Sequence, residues 1–131
     1  MDEQILSYCR GSDEIWHAGD IGSVKVMDQL AAVAPLRAVY GNIDGTVLRA
    51  LYPLDQMFTI EEVRVWMTHI GGYPGRYHPR VRKRIAEYQP KLFISGHSHI
   101  LKVMPDKKLG LLHMNPGAIG KQGFHKVRTM L

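Results

Sequence analysis

The sequence predicts a layered α/β fold in a single domain, and three observations lead to that prediction. Short apolar segments of strand length alternate with segments whose apolar residues recur at helical spacing. The chain has 131 residues, which is enough to enclose one hydrophobic core. Its composition is that of an ordinary globular protein, with 45% hydrophobic and 22% charged residues. We find no repeat and no linker-like segment, so we assign residues 1–131 to one domain.

The amino-terminal half is predicted to contain two helices and two strands. A first helix over residues 2–10 would place Ile5, Leu6 and Cys9 on one face, and Gly11 would end it. The remaining predictions are a buried strand over residues 14–18, a helix from the cap Ser23 to Ala34 that ends at Pro35, and a strand over residues 37–40.

The carboxyl-terminal half is predicted to begin with a hairpin, in which residues 57–60 and 63–67 flank Glu61 and Glu62. Pro79 then opens a basic helix that extends to Tyr88. The remaining predictions are a strand over residues 91–95, a second hairpin over residues 101–104 and 109–114, and a last strand from His125 to Leu131.

Charge and composition limit the partners and the location. Lys and Arg number 17 against 12 Asp and Glu, and the net charge of +5 favours anionic partners such as phosphate esters or nucleic acid. No apolar run is long enough to span a bilayer, and the first residues lack a secretory signal. The single cysteine, Cys9, cannot form an internal disulfide. We therefore expect a cytoplasmic protein without a membrane partner.

Polar side chains follow four of the predicted strands, at the point where each strand ends. Because the carboxyl ends of strands gather at one edge of an α/β sheet, these side chains are expected to converge. Their oxygen and nitrogen donors suit Mn²⁺, Fe, Zn²⁺, Co²⁺ or Ni²⁺, and a pair of such cations generates hydroxide and neutralises a phosphoryl group. The candidate ligands are Asp20, Asn42, His69, His97 and His99.

Five short motifs occur in a fixed order along the chain, and together they resemble the calcineurin-like metallophosphoesterases, above all their small single-domain phosphodiesterase branch. The similarity extends from Glu14 to about Gly120, and it implies a four-layer αββα sandwich. The motifs are AGD at 18–20, GNID at 41–44, THIG at 68–71, GHSH at 96–99 and NPGA at 115–118.

The resemblance also implies a role for each candidate residue. Asp44 would lie behind the ligands and orient them, while Asn115 and the Pro-Gly turn after it would shape the wall of the pocket. The implied ligands are Asp20 as a bridge between two metals, Asn42, His69 and His97 at one metal, and His99 at the other.

Two departures from the family pattern affect the expected activity. The family begins with a strand that ends in Asp-x-His, and no such motif precedes Asp20. We therefore expect the first strand to be missing, through truncation, a misplaced start or true loss, and the carboxyl end is a second candidate for truncation. One metal or none is expected to be retained. Larger relatives place a proton-donating histidine at the position of Ile43, and isoleucine cannot donate a proton.

The function predicted from the sequence is a divalent-metal-dependent phosphodiesterase, with Mn²⁺ as the first choice of metal. A metal-bound hydroxide would attack phosphorus in line, and the substrate would be a small phosphate ester. The alternative is a non-catalytic protein-binding scaffold of the same fold, like the retromer subunit. A nucleic-acid binder ranks third, because the basic residues 76–84 are interpreted as a solvated helix face. A homo-oligomer formed by exchange of strands between copies of the chain is a further alternative.

Overall fold

The computed structural model describes residues 2–120 and 128–131, and these contain four helices and nine strands. None of the described helices combines the length and apolar character needed to cross a membrane. In chain order the elements are α1 (Glu3–Cys9), β1 (Ile15–His17), α2 (Val24–Ala31), β2 (Leu36–Ala38), α3 (Thr46–Leu51), β3 (Asp55–Ile60), β4 (Val63–Thr68), β5 (Gly72–Tyr73), β6 (Arg76–Tyr77), α4 (Pro79–Tyr88), β7 (Leu92–Ile94), β8 (Leu101–Asp106) and β9 (Leu111–Pro116).

Most of the predicted elements are present, with small shifts at their ends. The Asp2 side chain caps α1 by accepting a hydrogen bond from the Ile5 N–H at 3.1 Å, and Ser23 caps α2 in the same way. Helix α2 ends at Ala31, three residues before the predicted end. Residues 128–131 are not part of a strand, and the rest of the predicted last strand lies outside the described residues.

Two parts of the fold were not predicted. Helix α3 has six residues, and its N-cap residue Gly45 offers no side-chain cap, so neither periodicity nor a cap marks it in the sequence. Strands β5 and β6 have two residues each and enclose the turn at Pro74 and Gly75. Elements this short leave no repeating pattern for sequence analysis to detect.

The strands form two larger sheets. The first has five strands in the order β3-β4-β7-β9-β8, in which the central strands β4, β7 and β9 are parallel and the two edge strands are antiparallel. The second consists of β1 and β2, which pair in parallel, and within the described residues β1 has no other strand partner. A small hairpin of β5 and β6 completes the set.

Alternating side chains on the central strands place the two sheets face to face. Val65 and Met67 of β4 pack with Val39 in a cluster between the sheets, whereas Trp66 points the other way and packs against Val81 of α4. The outer face of the β1-β2 sheet is covered by α1 and α2 through residues such as Met27. The order of layers is therefore helix, sheet, sheet, helix, and the predicted αββα sandwich is confirmed.

Candidate metal centre

The side chains that follow β1, β2, β4 and β7 form one hydrogen-bonded cluster. The Asn42 Oδ1 atom lies 2.9 Å from His69 Nε2 and 3.0 Å from His97 Nδ1. The Asp20 Oδ1 atom lies 3.3 Å from the same His69 Nε2. The structure thus brings together four of the five predicted ligands, although they come from four separate loops.

The surroundings of His69 leave its Nε2 atom facing only oxygen atoms. The Nδ1 atom lies 2.7 Å from the Ala18 carbonyl oxygen, which can only accept, so Nδ1 carries the proton. When Nδ1 carries the only ring proton, the lone pair of Nε2 faces oxygens of Asn42 and Asp20. A cation bound by these atoms would remove the repulsion between the nitrogen lone pair and the oxygen atoms. Without a cation, a half-turn of the Asn42 amide would remove part of it by presenting the NH₂ group to the ring. Metal-binding histidines commonly hold the other ring N–H on a backbone carbonyl in this way.

Two glycines allow the loops to approach this closely. A Cβ atom added at Gly41 would lie 2.1 Å from Asp20 Oδ1 and 2.3 Å from the Asp20 backbone nitrogen. A Cβ atom at Gly19, where φ is +101°, would lie 2.5 Å from His69 Nδ1. Both separations are far shorter than any real contact of a Cβ atom, so the cluster requires glycine at both positions.

Asp44 joins two of the loops from behind the cluster. The side chain is 2% exposed, and it accepts hydrogen bonds from the backbone N–H groups of Ile21, Gly22 and Gly41 at 2.8–3.0 Å. Burial opposes ionisation of this carboxyl, but the three donors outweigh burial and hold the pKa of Asp44 below its ordinary value. These hydrogen bonds tie the Asp20 loop to the Asn42 loop, and the orienting role of Asp44 stays a prediction.

The loop after β7 carries two histidines in a strained backbone conformation. His97 and His99 have φ values of +69° and +63°, a region that non-glycine residues rarely occupy. The loop is braced at Ser98, whose hydroxyl contacts the Tyr73 hydroxyl and accepts from Asn115 Nδ2 at 3.2 Å. Asn115 therefore supports the loop from β9. The role of His99 as a ligand of a second metal stays a prediction.

The cluster as arranged is a partial set of metal ligands. Within residues 2–120 and 128–131, no group of three or more His, Cys, Asp or Glu side chains is placed to hold a metal ion. Asp20 and His69 contact each other directly, and the Asn42 amide oxygen, which contacts both histidines, links His97 to this pair. One carboxylate, one amide oxygen and two imidazoles nevertheless suit a divalent transition metal. The donor chemistry therefore fits one cation.

Two clefts border the cluster, and we name each after its exposed arginine. The Arg49 cleft has a volume of about 250 Å³ and the Arg76 cleft about 240 Å³, and they share Ile70 and His78. Apart from these two shared residues, the Arg49 cleft is lined by Tyr40, Gly41, Asn42, Arg49, Leu54, His69 and Arg80, and the Arg76 cleft by Gly71, Gly72, Tyr73, Arg76, Gly96, His97 and Ser98.

Comparison with known families decides which chemistry this arrangement belongs to. The model of the calcineurin-like phosphoesterase superfamily domain matches residues 1–131, which is the whole chain. The chain belongs to this family. The resemblance predicted from the five motifs is thereby confirmed.

Two curated archaeal proteins are similar to this phosphoesterase domain in sequence. A probable metallophosphoesterase of Methanothermobacter thermautotrophicus is 30% identical over 120 residues, which cover 90% of this chain and 67% of that protein. A probable metallophosphoesterase of Methanocaldococcus jannaschii is 29% identical over 107 residues, covering 81% of this chain and 53% of that protein. The domain thus spans about two thirds of one relative and about half of the other.

Solved structures show the same fold at lower sequence identity. A Vps29 single mutant from Entamoeba histolytica superposes with a TM-score of 0.75 at 16% identity, covering 98% of this chain and 71% of that one. A structure described as a novel archaeal phosphodiesterase gives a TM-score of 0.61 at 21% identity, covering 88% of this chain and 73% of that one. At such identities the likeness concerns the fold.

Three residues that line the clefts beside the cluster were not predicted as site residues. Arg49 lies on α3 and Tyr73 on β5, and neither element was predicted. His78 was not among the predicted site residues, yet it lines both clefts. No local signal marks Arg49 as a site residue, because α3 has neither a repeating pattern nor a side-chain cap.

Proposed function

We propose that this domain is a divalent-metal-dependent phosphodiesterase. The observation that carries the proposal is the position of His69, with Nδ1–H held by a carbonyl and Nε2 facing Asn42 and Asp20. Family membership supports the reaction class, since the family acts on phosphate esters. The net charge of +5 suits an anionic substrate.

One cation would be held by Asp20, Asn42, His69 and His97. We propose Mn²⁺ as the metal of choice, with Ni²⁺, Fe²⁺, Zn²⁺ and Co²⁺ as alternatives, because the donors mix oxygen and nitrogen. When bound, such a cation lowers the pKa of water toward about 7 and neutralises phosphoryl oxygens, and with a second cation it favours in-line attack by hydroxide at phosphorus. The second cation, shared between Asp20 and His99, is part of the proposal.

The surroundings of Ile43 limit which esters can react. This side chain is 65% exposed, follows Asn42 directly and has no proton to donate. Its backbone N–H donates to Asp20 Oδ1 at 3.2 Å, which helps to position that carboxylate. The departing oxygen therefore receives no proton from this position, and esters with acidic leaving groups should react fastest.

The test is hydrolysis of bis(4-nitrophenyl) phosphate with Mn²⁺ by the natural domain and by His97→Ala. Because His97 is exposed, its truncation should leave the domain folded, and circular dichroism checks this. We expect kcat/KM to fall by about 100-fold or more, since metal-ion catalysis contributes several kcal/mol. Lys107→Ala, in the distant turn between β8 and β9, is the control and should keep full activity. Equal rates for the natural domain and His97→Ala would refute the proposal.

A non-catalytic scaffold is the second candidate, and one surface feature favours it. The edge strand β8 and the residue before it expose apolar side chains, among them Ile100 at 58%, Leu101 at 45% and Val103 at 51%. Exposed apolar patches mark interaction sites in many soluble proteins. Measured metal content distinguishes the candidates: an enzyme should bind Mn²⁺ stoichiometrically, whereas a scaffold should show neither bound metal nor turnover.

A further inference from the structure

Arg49 is fixed beside the candidate metal centre by three contacts of its guanidinium group. The Nε atom donates to the Asp44 carbonyl at 2.6 Å, and one terminal nitrogen donates to the Asn42 carbonyl at 3.4 Å. The group also lies 4.7 Å from the centre of the Tyr40 ring, in the range of a cation–π contact. An arginine held in place in this way loses little conformational entropy when it binds an anion.

Within residues 2–120 and 128–131, the guanidinium group of Arg49 forms no ion pair with a carboxylate. A guanidinium group has five N–H donors, and the contacts to the two carbonyls use two of them. Arg80, the other arginine in the Arg49 cleft, is bound to the Asp55 carboxylate at 3.0 Å. Among the residues that line this cleft, as the structure describes them, there is no carboxylate. The cleft therefore presents one pre-positioned guanidinium group that is not ion-paired with a described carboxylate, next to Asn42 and His69.

We propose that the Arg49 cleft binds a second anionic group of the substrate, so that the preferred substrate is a phosphodiester with a further phosphate on one arm. This inference rests on the proposed function, because the reacting phosphate would lie at the cluster. The Tyr40 ring and Leu54 give the organic part of that arm an apolar wall. Arg49 is thus a residue that determines substrate specificity.

The Arg76 cleft is the less suitable place for this anion. Arg76 is exposed on the short strand β6, and no hydrogen bond or aromatic contact of its guanidinium group fixes it among the described residues. An unfixed arginine loses more side-chain entropy on binding than an arginine already held by two carbonyls and a ring. The Arg76 cleft is therefore left for the other arm of the diester.

The test compares two ligands that differ by one phosphate, thymidine 3′,5′-bisphosphate and thymidine 5′-phosphate. Their affinities are measured by titration calorimetry with the full domain in the presence of Mn²⁺. We expect the natural domain to bind the bisphosphate about 10-fold more tightly than the monophosphate. Charge-assisted hydrogen bonds from Arg49 favour the second phosphate, and solvent exposure of Arg49 limits the size of the gain. In Arg49→Ala this preference should disappear. Arg82→Ala removes the same charge from an exposed face of α4 and should keep the preference.

A second variant separates recognition of the anion from support of the loop. Arg49→Gln keeps an N–H donor for the loop carbonyls but removes the charge, so it should bind the monophosphate normally and lose the preference for the bisphosphate. If Arg49→Ala does not fold, Arg49→Gln by itself tests whether the charge of Arg49 causes the preference for the bisphosphate. An equal loss of affinity for both ligands in Arg49→Gln, an unchanged preference, or no preference in the natural domain would overturn the inference.

The outcomes also separate this inference from the proposed function. If the domain hydrolyses bis(4-nitrophenyl) phosphate but its preference for the bisphosphate does not depend on Arg49, the inference alone fails. If the preference depends on Arg49 but no diester is hydrolysed, the phosphodiesterase proposal fails and the anion site stands as a binding site.

Discussion

Substitution of Gly41 by alanine tests whether the close approach of two loops builds the cluster. The added methyl group would lie 2.1 Å from Asp20 Oδ1 and 2.3 Å from the Asp20 backbone nitrogen. Rotation of the carboxylate relieves the first clash but not the second, so the backbone at Asp20 must move. Overpacking of this kind costs about 1–3 kcal/mol. For a domain of 131 residues this corresponds to a fall in Tm of about 4–12 °C.

The displacement should also affect metal binding, because Asp20 is a proposed ligand. We expect the Mn²⁺ affinity of Gly41→Ala to fall by at least about 10-fold, the lower bound for disturbed metal sites. Thermal unfolding followed by circular dichroism without metal measures the first effect. Calorimetric titration with Mn²⁺ measures the second. The two readouts are independent, since the clash exists without the cation.

Gly45→Ala is the matched control, because it makes the same change four residues along the same chain segment. A Cβ atom at Gly45 would have no neighbour within 4 Å, and its φ of −87° suits alanine. Because glycine is preferred over alanine at an N-cap, Gly45→Ala should lower the free energy of unfolding by about 0.5–1 kcal/mol, and it should leave the Mn²⁺ affinity unchanged. If Gly41→Ala and Gly45→Ala unfold at the same temperature and bind Mn²⁺ equally, the tight contact between the loops does not exist.

Two further predictions concern stability. Burial above all, and repulsion from His69 in addition, lower the pKa of His17 to about 4. Between pH 6.5 and 4 the unfolded chain therefore binds a proton at His17 that the folded chain does not, and this should reduce the free energy of unfolding by as much as about 3 kcal/mol. Urea titrations of His17→Asn should show a shallower slope over this range, while buried His113, whose pKa is also lowered, keeps the rest of the slope. Phe93 is fully buried against Trp66, so Phe93→Ala should lower the free energy of unfolding by about 3–5 kcal/mol in the same urea assay. Met57→Ala, on the exposed edge strand β3, should lower it by less than about 1 kcal/mol. Equal losses in the two variants would contradict the proposed core.

Longer periodic segments made most of the fold predictable. The apolar residues of α2 and α4 recur at helical spacing, and the strands of the five-stranded sheet are apolar runs bounded by turns, so their existence follows from local sequence. The unpredicted α3 and the β5-β6 hairpin are too short for a pattern, and their conformation depends on the contacts around them. Arg49 and Tyr73 were missed for this reason.

The candidate site was predictable in its members but only partly in its arrangement. Asp20, Asn42, His69 and His97 follow strand ends, and the structure brings them into contact. Their approach depends on Gly41, where the loops meet at a distance that no local pattern specifies. The sequence contains the glycine, but it does not indicate which residue lies opposite.

The sequence by itself determined the donor atoms: one carboxylate, one amide and the imidazoles, each placed at the end of a strand by a residue that allows a turn. It also determined that successive side chains of a strand face opposite sides of its sheet, because this alternation is a local property of the chain. Only the tertiary structure decided that the Ala18 carbonyl fixes the ring of His69 and that the guanidinium group of Arg49 is held beside the cluster by two loop carbonyls. Such contacts join residues that are far apart in the chain, so they depend on how the two sheets pack rather than on any neighbouring residue.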